Sequence, residues 1–409
     1  MADKFFSRYL SFGSLIGMLI GVVAGLLPAS GSTAWVLPYA EGFAKLWIVL
    51  LLLLAVPLVA TYLMASLLKL LQSNAIGKLA LRGIGVHVIM LVLGALISVT
   101  VSLLLLAIIT PATSGLAAAA TQEASLTFTH QLAVIQAWLA RMIIPVILVT
   151  LVGAAALHFI PSLRPHVVNV SAQTNKLLFT ALQYLFMALP LSVMCLAMMI
   201  TIRNGAMLVG VAGFYIIGVC AILGIATIMQ YGAIYFFGHT SVKNFFQALL
   251  PAQFVAASTC SSLATLPALL ISVKRMGIAD EVAGSAVPVF VSFFRINLMV
   301  ANPFSFFLLS YLYNLPVEWP NVLFFLGLMM ITSFGSPGLP QTGNVYSLPV
   351  FLAAGIPLEG VVLLKALDAI PDVFKTILNV TETATVTSLT VRFASRGDVA
   401  STLHTQTRV

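Results

Sequence analysis

The chain has 409 residues, of which 61% are hydrophobic and 7% charged, whereas a soluble globular chain carries about 25% charged residues. With 19 basic and 11 acidic side chains and a mean hydropathy of +1.10, it cannot cover a water-soluble fold of this size, which excludes an ordinary soluble enzyme and makes it an integral membrane protein. The net charge of +8 is not a nucleic-acid signature, because the basic residues fall in alternate breaks between apolar runs, as the positive-inside rule requires.

A spanning helix needs about 20 largely apolar residues. The first such run, about 9–28, is longer than a signal-peptide core and is read as a membrane helix. Runs at 43–71, 80–110, 131–160, 175–202 and 206–238 follow. At 245–274 an apolar stretch is interrupted by Ala257-Ser258-Thr259-Cys260-Ser261-Ser262 and resumes after Pro267. A further run occupies 283–312, a second interrupted stretch 321–354, with Ser333 to Gly343 at its centre, and a last run 361–391. The expectation is an all-α polytopic protein with eight transmembrane helices and no soluble domain between them. The two interrupted stretches are expected to be re-entrant helical hairpins, because each half is too short to span and irregular backbone at membrane depth must be buried in protein or line a wet cavity. Paired interruptions of this kind point to a transporter binding site.

Lys4, Arg8, Lys69, Lys78, Arg82, Arg164, Lys176, Lys243, Lys274, Arg275, Arg392, Arg396 and Arg408 all lie in breaks on one side, while 28–41, 111–130, 313–321 and 355–360 are poor in Lys and Arg. Both termini are therefore expected to be cytoplasmic. Cys195, Cys220 and Cys260 sit in apolar surroundings without metal or disulfide spacing and are read as core residues.

On the last run, Asp368, Asp372, Lys375, Thr376, Asn379, Glu382 and Thr383 fall within an arc of about 120° at 100° per residue. The opposite side carries Ile370, Phe374, Ile377, Leu378 and Val380. Pro371 removes a backbone donor among the carboxylates and is expected to bend or open the helix there. A central charge costs about 2.5–3.5 kcal/mol on insertion scales, so these groups must be paired or wet. Arg295 and Arg141 are read as further buried cations. The six histidines, among them His87 and His239, are read as loop or interfacial residues. No HExxH, GxSxG or GxxxxGK[ST] motif and no Cys/His cluster with metal spacing is present in the sequence.

Ser261-Ser262-Leu263-Ala264-Thr265-Leu266-Pro267 resembles the serine-rich first hairpin tip of glutamate transporter homologues, the dicarboxylate/amino acid:cation symporter family. Gly335-Ser336-Pro337-Gly338-Leu339-Pro340 is similar to the second tip. Asp368, Asp372, Thr376 and Asn379-Val380-Thr381 match the last-helix pattern, and the helix order agrees from end to end, including Val56-Pro57-Leu58-Val59. The resemblance implies an elevator-type homotrimer in the inner membrane. It implies scaffold helices at 1–79 and 131–204, transport-domain segments at 80–111 and 205–391, and a cytoplasmic tail at 392–409. It further implies that Asp372 takes a substrate amino group, that Lys375 stands where relatives of acidic substrates carry Arg, and that Thr376, Asn379 and the hairpin tips (Ser261, Ser262, Thr265, Gly335, Ser336, Pro337, Gly338) complete the pocket. On spacing alone, Lys375 also reaches Asp372 or Glu382 as an internal pair.

The departures concern the coupling ion. Where the family carries Asn-Met-Asp-Gly-Thr, this chain reads Asn297-Leu298-Met299-Val300-Ala301; Thr383 replaces a second sodium-binding Asp, and Arg295 a Thr. Hard cations require several oxygen ligands, so sodium coupling is expected to be reduced or lost. Arg295 would then serve as an internal cation, with Asn297 beside it, and Glu382 or Asp368 as the proton carrier. No cofactor is expected, and the coupling ion is H+ or Na+. The partners expected are a small-molecule substrate and the lipid bilayer, not nucleic acid. The leading reading is a secondary transporter of a small anionic amino acid. A C4-dicarboxylate, neutral amino acid or cystine transporter, an uncoupled receptor, an anion channel and, last, an intramembrane enzyme are the alternatives.

Overall fold

In a computed structural model, residues 2–26, 36–72, 77–108, 127–160, 162–204, 207–334 and 342–393 are described. Every regular element among them is an α-helix. The first six are α1 (Ala2–Leu26), α2 (Val36–Gln72), α3 (Gly77–Ile108), α4 (Thr127–His158), α5 (Arg164–Met187) and α6 (Leu189–Asn204). They are followed by α7 (Met207–Phe237), α8 (Val242–Thr259), α9 (Leu266–Arg275), α10 (Asp280–Phe293) and α11 (Ile296–Leu312). The chain continues with α12 (Trp319–Ser333), α13 (Thr342–Ala353), α14 (Leu358–Ala366) and α15 (Pro371–Phe393).

Where eight spans are expected, four stretches among the described residues are long and apolar enough to cross a membrane: Leu37–Leu58, Leu81–Ile108, Gly210–Phe237 and Asp280–Leu312. A fifth is added if α5 and α6 form one bent span. Of the helices outside this set, α15 falls short because it carries its polar residues into the protein interior.

Three expected spans are broken. The run at 175–202 bends by 52° between α5 and α6, where Pro190 cannot donate to the carbonyl one turn earlier. The run at 283–312 is interrupted at Phe294, which is extended (φ −100°, ψ 123°), and at Arg295, which is outside the helical region (φ −136°, ψ 74°). The run at 361–391 opens over 367–370, immediately before Pro371. Pro57, by contrast, is accommodated inside α2.

The first interrupted stretch is a pair of helices: α8 and α9 pack on each other and on α15, joined by a tip at 260–265. Cys260 caps α8 in the left-handed region (φ 48°). At ten residues, α9 is about 15 Å long, half a hydrocarbon core. In the second stretch α12 packs on α13, but its expected tip, with Gly335, Ser336, Pro337 and Gly338, lies outside the described residues.

The helices pack in two sets. In one, α1 lies on α6 and α2 lies on α4, α5 and α6; in the other, α15 is surrounded by α3, α7, α8, α9, α10 and α11. The sets meet where α13 touches α2 and α4 and where α14 touches α1, α2 and α6. An apolar crevice lined by Met18, Ile200, Leu309, Leu312, Leu363 and Leu364 lies along this boundary. Within the first set, Gly17 and Gly21 of α1 approach the α6 backbone so closely that an added Cβ would lie 2.3 Å from the carbonyl oxygens of Pro190 and Met194. This is small-residue packing at four-residue spacing, a device suited to lipid, where helices gain nothing by hiding apolar surface.

Candidate functional site

Two helix breaks converge on α15. At the first, between α14 and α15, Lys365 lies in the last turn of α14 and Asp372 in the first turn of α15, so each charge complements its helix dipole. Between them, fully buried Asp368 receives a hydrogen bond from Lys375 Nζ at 2.5 Å and one from Tyr215 OH at 2.9 Å. Lys365 Nζ lies 3.8 Å from the same carboxylate and donates to Asn302 Oδ1 at 2.7 Å. Asp372 is half-buried and within electrostatic reach of both Lys365 and the hairpin cap Cys260. The two lysines and two aspartates sum to zero charge. Lys375, expected to face a substrate carboxylate or to pair with Asp372 or Glu382, is instead buried against Asp368; Asp368 lies in the turn before α15, so the helical wheel misplaced it.

At the second break, the N-terminus of α11 presents backbone N–H groups that no intrahelical partner can take. Side chains of α15 take them: Ile296 N donates to Glu382 Oε2 at 3.3 Å and Asn297 N to Asn379 Oδ1 at 3.1 Å. Glu382 Oε1 lies 2.5 Å from His87 Nδ1. The imidazole stacks on Phe294 (centroids 4.1 Å apart, planes 8° apart) and meets Phe334 edge-on. Arg295, buried as expected, sits between these contacts in sequence. Arg141 does not join it; that side chain is exposed, because α4 packs through its other face.

At the first hairpin tip Ser261, Ser262 and Thr265 are buried. Thr265 Oγ1 donates to the Ser261 carbonyl, and Ser261 Oγ accepts from Ala264 N, so these groups brace the tip itself. Thr376, Thr383, Thr385 and Thr387 return their hydroxyls to carbonyls four residues back, which makes the polar stripe self-satisfied and compatible with a dry interior. Cys195 is buried as expected, whereas Cys220 and Cys260 are half-buried.

The sequence reading missed His87, Lys365, Tyr215 and Asn302. His87 and Lys365 were detectable as ionisable residues inside apolar runs, the same signal that singled out Arg295. His87 is fully buried and not interfacial, and His239 bridges Ser388 Oγ and the Met276 carbonyl. At Met299 and Thr383, where the resemblance implies sodium ligands, stand a buried thioether and a hydroxyl held on the Asn379 carbonyl. Neither supplies the carboxylate oxygens that a hard cation prefers.

The chain matches, over residues 10–393, the model of the sodium:dicarboxylate symporter family. It is 26% identical over 231 residues to "C4-dicarboxylate transport protein 2" of Ralstonia nicotianae, covering 55% of this chain and 51% of that protein. It is 30% identical over 127 residues to the proton/glutamate-aspartate symporter of Escherichia coli, 31% of this chain and 29% of that one. A proton/sodium-glutamate symport protein of Bacillus caldotenax matches at 26% over 126 residues, 31% and 30% of the two chains. The matched stretches thus span about half or less of these relatives' lengths. The match over nearly the whole length, together with several apolar helices enclosing a charged interior, shows that this multi-pass membrane protein belongs to the sodium:dicarboxylate symporter family.

Proposed function

We propose that the protein is a secondary active symporter that moves a small anionic amino acid, aspartate- or glutamate-like, across the inner membrane with both termini in the cytoplasm. The observation that carries this reading is the charge-balanced cluster of Asp368, Asp372, Lys365 and Lys375 at the opening of α15, next to the first hairpin tip. Ionisable groups at membrane depth are costly and mark substrate or ion paths. Asp372 is the half-buried member and would receive an ammonium. Lys375, held by Asp368, would be shared with an incoming carboxylate, as a compact ammonium can be. Thr376, Asn379 and the hairpin tips would complete the pocket.

The reading extends to an elevator. The α15-centred set would move against the set built on α1, α2, α4, α5 and α6, sliding along the apolar crevice, in a homotrimer. Coupling is to protons more than to sodium, because Met299, Thr383 and Arg295 stand where sodium ligands are expected. A C4-dicarboxylate substrate is the second reading, favoured by the Ralstonia nicotianae relative; it sits less well with Asp372, whose carboxylate would repel a substrate without an amine.

The test is uptake of labelled L-aspartate, L-glutamate and succinate into proteoliposomes under an inward proton gradient, an inward sodium gradient, or neither. Proton-driven accumulation of the amino acids is the expected result. Accumulation of succinate alone would replace the substrate class, and saturable binding without flux under any gradient would overturn the transporter reading in favour of a receptor.

A further inference from the structure

The His87–Glu382 pair contributes nothing to the charge cluster at the α14–α15 opening. Both side chains are completely buried, their facing atoms are 2.5 Å apart, and the carboxylate also accepts from Ile296 N. Phe294 covers one face of the imidazole and Phe334 stands at right angles to it. The outer ring nitrogen, His87 Nε2, is buried without a hydrogen-bond partner among the described residues.

From this geometry we infer that His87 and Glu382 together form the proton-binding site of the transport cycle. The inference rests on the symporter reading above and names the residues that carry the coupled proton. The proton count is fixed by the atoms present. With the single imidazole hydrogen on Nδ1 donated to ionised Glu382, the pair carries one negative charge. Adding a proton from water neutralises the pair. If that proton ends as an imidazolium beside a carboxylate, or as a carboxylic acid donating to Nδ1 of a neutral imidazole, Nε2 now bears a hydrogen. Only N–H or O–H bonds form, and release to water on the other side reverses them.

Two costs oppose each other. The deprotonated pair leaves a net charge in a buried site, and the protonated pair leaves an Nε2–H with nothing to donate to. The N-terminus of α11, preceded by Arg295, faces the carboxylate. Water reaching Nε2 in one conformation and excluded in another therefore tips the balance, which is what coupling a proton to a conformational change requires.

Other charged groups on the packed elements stand further off along their helices. Asp372 is ten residues, about 15 Å, from Glu382 along α15, and Lys375 seven residues, about 10 Å. On α3, Arg82 lies five residues before His87; Asp280 and Glu281 are at the opposite end of α10, Lys243 of α8 and Lys274 and Arg275 of α9 at the ends away from the hairpin tip, and Arg392 ten residues beyond Glu382. Described residues of α7, α11 and α12 carry no Asp, Glu, Lys, Arg or His side chain.

Glu382→Gln tests the assignment, since the amide oxygen still accepts from Ile296 N but cannot ionise. In proteoliposomes with labelled L-aspartate, the variant is expected to retain exchange against internal unlabelled aspartate, with a rate no longer varying with pH. Accumulation under an inward proton gradient should be lost. Retained exchange is the folding control. If Glu382→Gln does not reach the membrane, His87→Gln reads the same split. Wild-type accumulation by Glu382→Gln under the proton gradient would overturn the inference, as would a parent protein driven by sodium alone, which leaves the symporter reading standing. A parent that carries none of the three solutes overturns the symporter reading and the proton site with it.

Discussion

At the break between α14 and α15 one carboxylate, Asp368, faces two ammonium groups and a phenol; at the break between α10 and α11 one carboxylate, Glu382, faces an imidazole and a backbone N–H. Both carboxylates are fully buried, and both breaks lie against α15, so their difference is one of partners. Around Asp368 the amino groups of Lys375 and Lys365 and the Tyr215 phenol close the cluster by geometry. Beside Glu382 stands an imidazole, a ring that can carry a hydrogen on either nitrogen. One break encloses its carboxylate among several donors; the other pairs it with a single ring that can bear a hydrogen on either nitrogen.

The largest expected effect follows from breaking the first. In Asp368→Asn the acceptor of Lys375 becomes neutral and Lys365 loses its nearest carboxylate, leaving two buried cations with half-buried Asp372 as their remaining counter-charge. Removing one partner from a buried ion pair costs about 3–5 kcal/mol. A large drop in the thermal midpoint of the purified protein in detergent is the expected result. An unchanged midpoint would mean that the cluster is open to water and not the closed one seen here.

These two breaks were not equally legible in the sequence. The opening at α15 was, because Pro371 stands among carboxylates and cannot continue a helix. The break at Phe294–Arg295 was not: neither Gly nor Pro marks it, and it is held open by Glu382 and Asn379, more than 80 residues away in the chain. The identity of Asp368's partners also needed three dimensions. Helical spacing offered Asp372 and Glu382 to Lys375, and the turn at 367–370 carried Asp368 to it instead. The first hairpin was legible from its Ser-rich interruption and from Pro267. His87 was overlooked although it lies inside an apolar run, because a lone histidine gives no hint of a partner 295 residues distant.

A smaller effect is expected where shape and not charge holds the protein together. Gly21→Val on α1 places a side chain where even a Cβ would be 2.3 Å from the Met194 carbonyl oxygen. Overpacking of this kind costs about 1–3 kcal/mol. Among the described side chains the seam contains no pair that could titrate, so the loss of thermal stability should be the same at acid and neutral pH. A loss confined to one pH would show that α1 and α6 are bound by something besides close packing.

The smallest effect sharpens the contrast between the breaks. Tyr215→Phe removes one of Asp368's donors and leaves the ring, which stacks on Phe304 at 6.2 Å with planes 12° apart. Because Lys375 remains on Oδ2 and Lys365 nearby, the carboxylate stays compensated, and the cost should be that of a single hydrogen bond, about 0.5–1.5 kcal/mol. The proton dependence of uptake should not move, since the phenol belongs to the Asp368 break and not to the His87–Glu382 pair. If Tyr215→Phe instead abolished proton-driven accumulation while Glu382→Gln retained it, the roles given to the two breaks would have to be exchanged.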